Sequence, residues 1–374
     1  MIGGAGHPDS GGAAGSPTAE GGTPHVVGTC DDLPTKGTWQ ETTPAEVKAK
    51  FPQQKYGVIA LAMNPKNPAV VYFGTHQIGI WKSTNCGSSW THINTGENGS
   101  VLDGGFQWSV AIDPVNPDVL YANSGYSSSS GAWKSTNGGV DWKALWPPAD
   151  PVLAKVVEYN FVHKIRIDPT DHQHLLISFH AACTAPYKSA CIAESKDAGA
   201  TWKIVNGNAS WTGGEDQTVW FLDSSQAWLY ASQSNGMWRT GDGGATWKII
   251  DAGWGAHNGG QLYRAKSGVF YHADPAAGVL RSPDGIAWSR TAGVGTGMIG
   301  LTGDGDNLYA SRGPYAEDPA YLAYYTSSES DGQTWSRLTS PLLSTGGYEL
   351  AYDPDHHLLY STNATAGFWR VAVE

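Results

Sequence analysis

One turn signature recurs along this chain and leaves few folds open to it. The pattern is Ser/Thr-x-Asp/Asn-x-Gly with a Trp three residues further on. It occurs as Ser83-Thr-Asn85-Cys-Gly87 before Trp90 and Ser135-Thr-Asn137-Gly-Gly139 before Trp142. It returns as Ser195-Lys-Asp197-Ala-Gly199 before Trp202 and Thr240-Gly-Asp242-Gly-Gly244 before Trp247. A shortened copy, Ser282-Pro-Asp284-Gly285, precedes Trp288, and a drifted copy, Ser328-Glu-Ser330-Asp331-Gly332, precedes Trp335. In such a turn the Asp or Asn side chain accepts backbone N–H bonds, and Gly takes the positive-φ position. The Trp opens the next strand and packs between sheets. The Trp residues stand 52, 60, 45, 41 and 47 residues apart. Periods of that size belong to four-stranded propeller blades. The Asp residues of these turns are therefore read as structural.

The rest of each blade repeats as well. Inner strands end in a Pro turn at Leu61-Ala-Met-Asn64-Pro65, Val110-Ala-Ile-Asp113-Pro114, Ile165-Arg-Ile-Asp168-Pro169 and Leu350-Ala-Tyr-Asp353-Pro354. Third strands precede the turn signature, as in Ile80-Trp-Lys-Ser83 and Met237-Trp-Arg-Thr240. The last unit, Phe368-Trp369-Arg370-Val371, is a third strand with no fourth after it. Gly37-Thr38-Trp39-Gln40 supplies the missing outer strand, since Trp39 lies 51 residues before Trp90. The expectation is an all-β, seven-bladed β-propeller whose ring is closed by the N-terminal strand completing the last blade. Closure removes the exposed sheet edges that promote aggregation.

Composition agrees: 48 Gly and 17 Trp suit many short strands and tight turns. Residues 1–29, mostly Gly, Ala, Ser, Pro and Thr, cannot offset their ordering entropy and read as a disordered tether. Residues 30–374 then form one propeller. The tether resembles the spacer behind a secretion or lipoprotein signal, which points to a secreted, periplasmic or cell-surface protein. The formal charge of −11 and the lack of a Lys/Arg run exclude nucleic acid as a partner. No apolar stretch is long enough to span a membrane, and a monomer is expected. Four cysteines, Cys30, Cys86, Cys183 and Cys191, contain no CxxC pair, so no Cys-based metal site is expected. Of three pairings, the topology favours Cys30–Cys86, across the seam of the ring, and Cys183–Cys191; four free thiols is the alternative. No cofactor is expected, with a structural calcium ion left open.

Function in a propeller belongs to the face opposite the signature turns, where the loops between second and third strands and between blades form a mouth. Candidate catalytic residues there are Glu215, Asp216, Glu317, His76, His163 and Tyr126. Candidate substrate-binding residues are Trp108, Trp211, Trp254, His180, Gln217, His257, Gln261, Arg312 and Tyr315. Asp274 and Asp318 are further carboxylates on the same side. Aromatic faces stack on sugar C–H surfaces and amides bond hydroxyls, so a polysaccharide or other glycan is the expected partner. The bland readings are equally concrete. Every blade uses a Trp for packing, loop carboxylates are usually only solvated, and a lone His is more often structural. His172, His174, His356 and His357 fall in turns on the other face and are discounted as a metal site.

From Gly37 to Glu374 the chain resembles the Asp-box propellers, in particular xyloglucan-active hydrolases and sortilin-type ectodomains. The run that carries this is Asn64-Pro65, then Tyr72-Phe-Gly74-Thr75, then Gly79-Ile80-Trp81-Lys82-Ser83. The resemblance implies the propeller fold and a glycan-active function. Those hydrolases place two propellers around a cleft and a catalytic Asp after the Thr of Tyr-x-x-Thr. This chain has one propeller, with His76 at that place. A sialidase is disfavoured, because Arg166 is followed by Ile-Asp and no early Arg-Ile-Pro is present. Two functions stay open: a glycan-active enzyme, hydrolase or lyase, and a non-catalytic binding propeller. A hydrolase needs two carboxylates across the scissile bond. A lyase needs a base such as His76, His163, His180 or His257 with Tyr126 or Tyr315 and a cation such as Arg312.

Overall fold

The computed structural model describes residues 24–51, 56–155, 162–207, 210–212, 217–255, 259–314, 324–341 and 343–373. Seven antiparallel sheets of four strands each make up the architecture among those residues. Six sheets are built from consecutive strands, inner to outer. Their inner strands are Val58–Met63, Val110–Ile112, Val162–Ile167, Thr218–Phe221, Leu262–Arg264 and Met298–Gly303, in blades one to six. Blade seven begins with Glu349–Asp353 and takes its fourth strand, Trp39–Glu41, from the N-terminal side of the chain. Trp39 pairs with Val371 and Glu41 with Trp369. The expected seven-bladed, all-β ring is therefore present.

The signature turns owe their shape to side-chain hydrogen bonds. In blade three the Ser195 hydroxyl donates to Asp197 Oδ1 (2.8 Å) and accepts from the Gly199 N–H (2.9 Å). Thr201 donates to Asp197 through both its N–H and its hydroxyl. Asn85, Asn137 and Asp242 head the same arrangement in blades one, two and four. The Gly is needed for its backbone: φ is +72° at Gly87, +95° at Gly139, +90° at Gly199 and +83° at Gly244. A Cβ on Gly139 would also lie 2.4 Å from Ile93 Cδ1 of the previous blade. The Thr246 hydroxyl and N–H, with Thr240, hold the Asp242 carboxyl down at about 2. These carboxylates are acceptors committed to their turns, as the sequence reading held.

The core lies between blades, in apolar clusters drawn from neighbouring sheets. One joins Tyr121 and Trp146 of blade two to Ile165, Ile177 and Trp202 of blade three. Another joins blade one to blade seven through Phe73, Trp81, Tyr360 and Phe368. The seam has further ties. Cys30 is disulfide-bonded to Cys86 and Cys183 to Cys191. The Arg370 guanidinium, fully buried, donates to Gln40 Oε1 and to the carbonyls of Cys86 and Asp32. The segment assigned to the tether is fastened from its described start. Val26 N–H donates to Lys66 O, and Gly28 O lies 2.9 Å from His356 Nε2.

The turn-face histidines are structural partners of carboxylates. His174 is buried with Nδ1 2.9 Å from Asp168 and Nε2 2.9 Å from Glu194. Burial pushes the Glu194 carboxyl up, but bonds from His174 and Lys203 outweigh it and hold it near 2. His356 Nδ1 lies 2.9 Å from Asp353. Cys30 and Cys86 stand close to that pair, with their sulfurs joined to each other.

Candidate functional site at the mouth of blades one to three

The mouth of the first three blades is built from short backbone bridges that hold aromatic side chains side by side. His76 follows the second strand of blade one, Val71–Thr75, and its N–H donates to Gly57 O (2.9 Å). Gln77 N–H reaches Gly105 O, and Phe106 exchanges two 2.9 Å bonds with Gly125 of blade two. Gln77 and Tyr126 occupy matching loops and share left-handed backbone, with φ of 58° and 49°. A non-glycine residue held there carries a conformational cost that surrounding structure must cover.

The result is an aromatic arc. Tyr56 meets His76 (5.4 Å) and Phe106 (5.3 Å), and Phe106 meets Tyr126 (5.1 Å). Tyr126 meets His180 of blade three at 5.4 Å, and its hydroxyl lies 3.1 Å from His180 Nε2. Tyr126 is the open member, 52% exposed. Beside it lies a hollow of about 490 Å³, walled by Gln77, Ser100, Val101, Gly104 and Ser127 to Ser129. That is the size of a small-ligand cleft. His76 is packed 3.4 Å from Phe106, and burial pushes its imidazole down to about 4. It is neutral at ordinary pH.

Below the arc the throat closes. Trp108, His163 and Tyr348 meet edge-on at 5.9 Å. Lys164 of blade three then crosses the channel to Glu349 of blade seven, Nζ to Oε1 2.9 Å, and also donates to Trp108 O (2.7 Å). Glu349 Oε2 accepts from Leu61 N–H (2.7 Å). Gln261 of blade five accepts from the N–H groups of Leu301 and Leu350 and donates to Leu350 O.

These positions sort the sequence candidates. Tyr126, His180 and His76 come together at the arc. His163 is buried in the throat, with Nδ1 3.3 Å from Gln217 O. Gln217 and Gln261 were expected to bind substrate. Both are instead latches between strands, Gln217 donating to Ala181 O and accepting from Tyr230 OH. Trp108, Trp211 and Trp254 were expected as stacking platforms, yet are only 4, 5 and 8% exposed. Trp211 lies flat on Tyr230 at 4.0 Å, because its loop turns back to pair Gly207 N–H with Ala190 O. Trp254 packs in the core of blades four and five with Arg290 near its ring. Arg312 donates through Nε and Nη2 to Thr296 O. Asp274 accepts from the N–H groups of Ala276, Ala277 and Gly255, so its carboxylate completes a turn. Glu215, Asp216, His257, Tyr315, Glu317 and Asp318 lie outside the described residues. Sequence reasoning missed Phe106, Lys164 and Glu349. The last two had a signal: each is a charge placed four residues before the turn Asp of an inner strand.

No family model matches the chain. In sequence it is similar to a xyloglucanase of Hypocrea jecorina, 25% identical over 266 residues, which is 67% of this chain and 27% of that protein. The chain spans 15 to 27% of the length of the curated xyloglucanases it matches. In structure it is similar to the GH74 xyloglucanase of Xanthomonas campestris, with a TM-score of 0.62 at 16% identity, covering 90% of this chain and 54% of that one. It is similar also to YCF48 bound to D1 peptide, with a TM-score of 0.59 at 11% identity, covering 93% of this chain and all of that one. At such identities the structural likeness is one of fold. No helix among the described residues is long and apolar enough to cross a membrane.

Proposed function

We propose that this chain is a glycan-active propeller that takes a polysaccharide across the mouth of blades one to three. The observation that carries the reading is exposed Tyr126, bonded to His180 beside a hollow walled by serine hydroxyls and an amide. A half-exposed phenol ring offers a sugar its apolar face, and the hydroxyls and Gln77 offer bonds to its edge. The partial sequence match to xyloglucanases supports the same substrate class. Two disulfides fit a secreted protein, because such bonds persist in oxidising compartments.

Hydrolysis in this reading falls to Glu215 or Asp216 together with Glu317. Elimination is the other catalytic route, with Tyr126 and His180 as the proton-moving pair and Arg312 of blade six as the cation. A binding role without turnover is the second reading. One observation favours it: Asp274 and Glu349, carboxylates near the mouth and throat, are both committed to structural bonds. YCF48, whose fold is similar, has been solved with a bound peptide.

The test is incubation with neutral and uronate polysaccharides, followed by reducing ends, unsaturated product and binding by calorimetry. Tyr126→Ala is expected to weaken affinity by about 3- to 10-fold, the worth of one aromatic contact, with unchanged melting. New reducing ends without unsaturation would assign hydrolysis, and unsaturated product would assign elimination. Binding without product would assign the non-catalytic role. No binding to any glycan, or binding indifferent to Tyr126→Ala, would refute the site.

A further inference from the structure

The seam of the ring gathers four metal-ligand groups around its disulfide. Cys30 Sγ, Cys86 Sγ, an Asp353 carboxylate oxygen and a His356 ring nitrogen all lie within 4.8 Å of one another. They come from three stretches: the N-terminal segment, the signature turn of blade one and the Pro turn of blade seven. Asp353 is buried, and its Oδ1 accepts from the N–H groups of Asp355 and His356. Its Oδ2 faces the cluster, 2.9 Å from His356 Nδ1 and 3.6 Å from Cys86 Sγ. The His356 ring is fixed from behind, since Nε2 donates to Gly28 O (2.9 Å). A carbonyl can only accept, so Nδ1 is the nitrogen presented to the cluster. Metal-binding histidines are oriented in this way, by a bond from the ring's other nitrogen to a carbonyl or carboxylate.

Zinc takes four such ligands in a tetrahedron at about 2.0–2.3 Å, which sets nitrogen and oxygen about 3.3 Å apart and sulfur and oxygen about 3.5 Å apart. The observed 2.9 and 3.6 Å are near those values. The main change required is at the sulfurs, which must part to about 3.8 Å, and cleavage of the bridge allows it. Two thiolates and one carboxylate around Zn2+ leave one negative charge. The Arg370 guanidinium, bonded to Cys86 O (2.7 Å), stands beside it as the counter-charge.

We propose that Cys30, Cys86, Asp353 and His356 bind one zinc ion when the Cys30–Cys86 bridge is reduced. A dithiol gives two electrons to the bridge and leaves as its own disulfide, releasing two protons. The two thiolates, Asp353 Oδ2 and His356 Nδ1 then take Zn2+, which displaces the proton between Nδ1 and Oδ2. The disulfide joins the N-terminal segment to blade one. The zinc ion ties both of these to blade seven, so the reduced chain keeps its seam fastened. The site is on the signature-turn side and is independent of what the mouth binds.

The test uses the full chain, kept reduced with a phosphine because dithiols compete for zinc, and adds zinc sulfate. One zinc per chain is expected in the reduced protein and none in the disulfide-bonded protein, with Tm raised by zinc only in the former. Zinc should abolish alkylation of Cys30 and Cys86, mapped by peptide mass. Cobalt in its place should give the absorption of a tetrahedral site with thiolate ligands. His356→Gln is expected to weaken zinc binding at least about 10-fold. The alkylation map and the cobalt spectrum need no variant, so they stand even if His356→Gln fails to fold. A reduced chain that binds no zinc, zinc that protects Cys183 and Cys191 in place of Cys30 and Cys86, or affinity unchanged in a folded His356→Gln would each overturn the proposal.

Discussion

Removing one end of the Lys164–Glu349 crossing should do more damage than removing both. The pair spans the channel from blade three to blade seven, with both side chains nearly enclosed, 8 and 12% exposed. Glu349→Met leaves the Lys164 ammonium without its carboxylate, and Lys164→Met leaves the carboxylate without its cation. Breaking one partner of such a pair costs about 3–5 kcal/mol. The double substitution removes both charges. What remains is chiefly the loss of acceptor for Leu61 N–H, about 1–3 kcal/mol. A chain of 374 residues unfolds with an entropy of about 0.8 kcal/mol/K, at 2.1 cal/mol/K per residue. Each single variant should therefore lower Tm by about 4–6 °C, and the double variant by about 1–4 °C. The assay is a double-mutant cycle by calorimetry, with urea midpoints as a check. If the double variant falls by the sum of the two singles, the charges are not coupled across the channel and the reasoning fails.

Two further outcomes follow from the same contacts. The depressed Glu194 carboxyl contributes stability that is complete above its ordinary range near 4.5 and is lost as pH falls towards about 2. Discounted for screening by the solvent-facing Lys196 and Lys203, that contribution is about 1–2 kcal/mol. Urea midpoints between pH 5 and 2 should fall less steeply in Glu194→Gln, and parallel curves would refute the assignment. The Cys30–Cys86 bridge closes a 56-residue separation and Cys183–Cys191 one of 8. Loop entropy makes the first worth about 4 kcal/mol and the second about 2.5. Cys30→Ser should thus lower Tm more than Cys183→Ser, and the reverse order would contradict the seam's role.

The ring was legible because its signals are local and repeated. Six copies of one turn, each with its Gly and Trp, state the blade, and the unpartnered Phe368-Trp369-Arg370 states where the first strand must go. The mouth was only partly legible. His76, Tyr126 and His180 are adjacent because loops of three blades are bridged through Phe106, and no spacing in the sequence records that bridge. Trp211 illustrates the opposite difficulty. Its Gly-rich, polar loop reads as a platform, but the indole folds down on Tyr230, since an apolar face that finds a partner leaves water. Gln217 and Gln261 were legible as mouth residues by position, while their latch roles depend on carbonyls one and two blades away.

The seam imposes an order on how this molecule is made. Six blades can form as soon as their own residues leave the ribosome. The strand Trp39–Glu41 is synthesised before any of them and must wait for its partner, Phe368–Ala372. Closing a span of about 330 residues rather than about 50 adds only about 1.7 kcal/mol of loop entropy, so the wait is inexpensive thermodynamically. Its effect is kinetic: for most of synthesis the strand that Trp39–Glu41 pairs with does not yet exist. The closed ring is complete only when Phe368–Ala372 reaches Trp39–Glu41 and Arg370 bonds Gln40, whereas the Cys30–Cys86 bridge joins two residues that are both synthesised early.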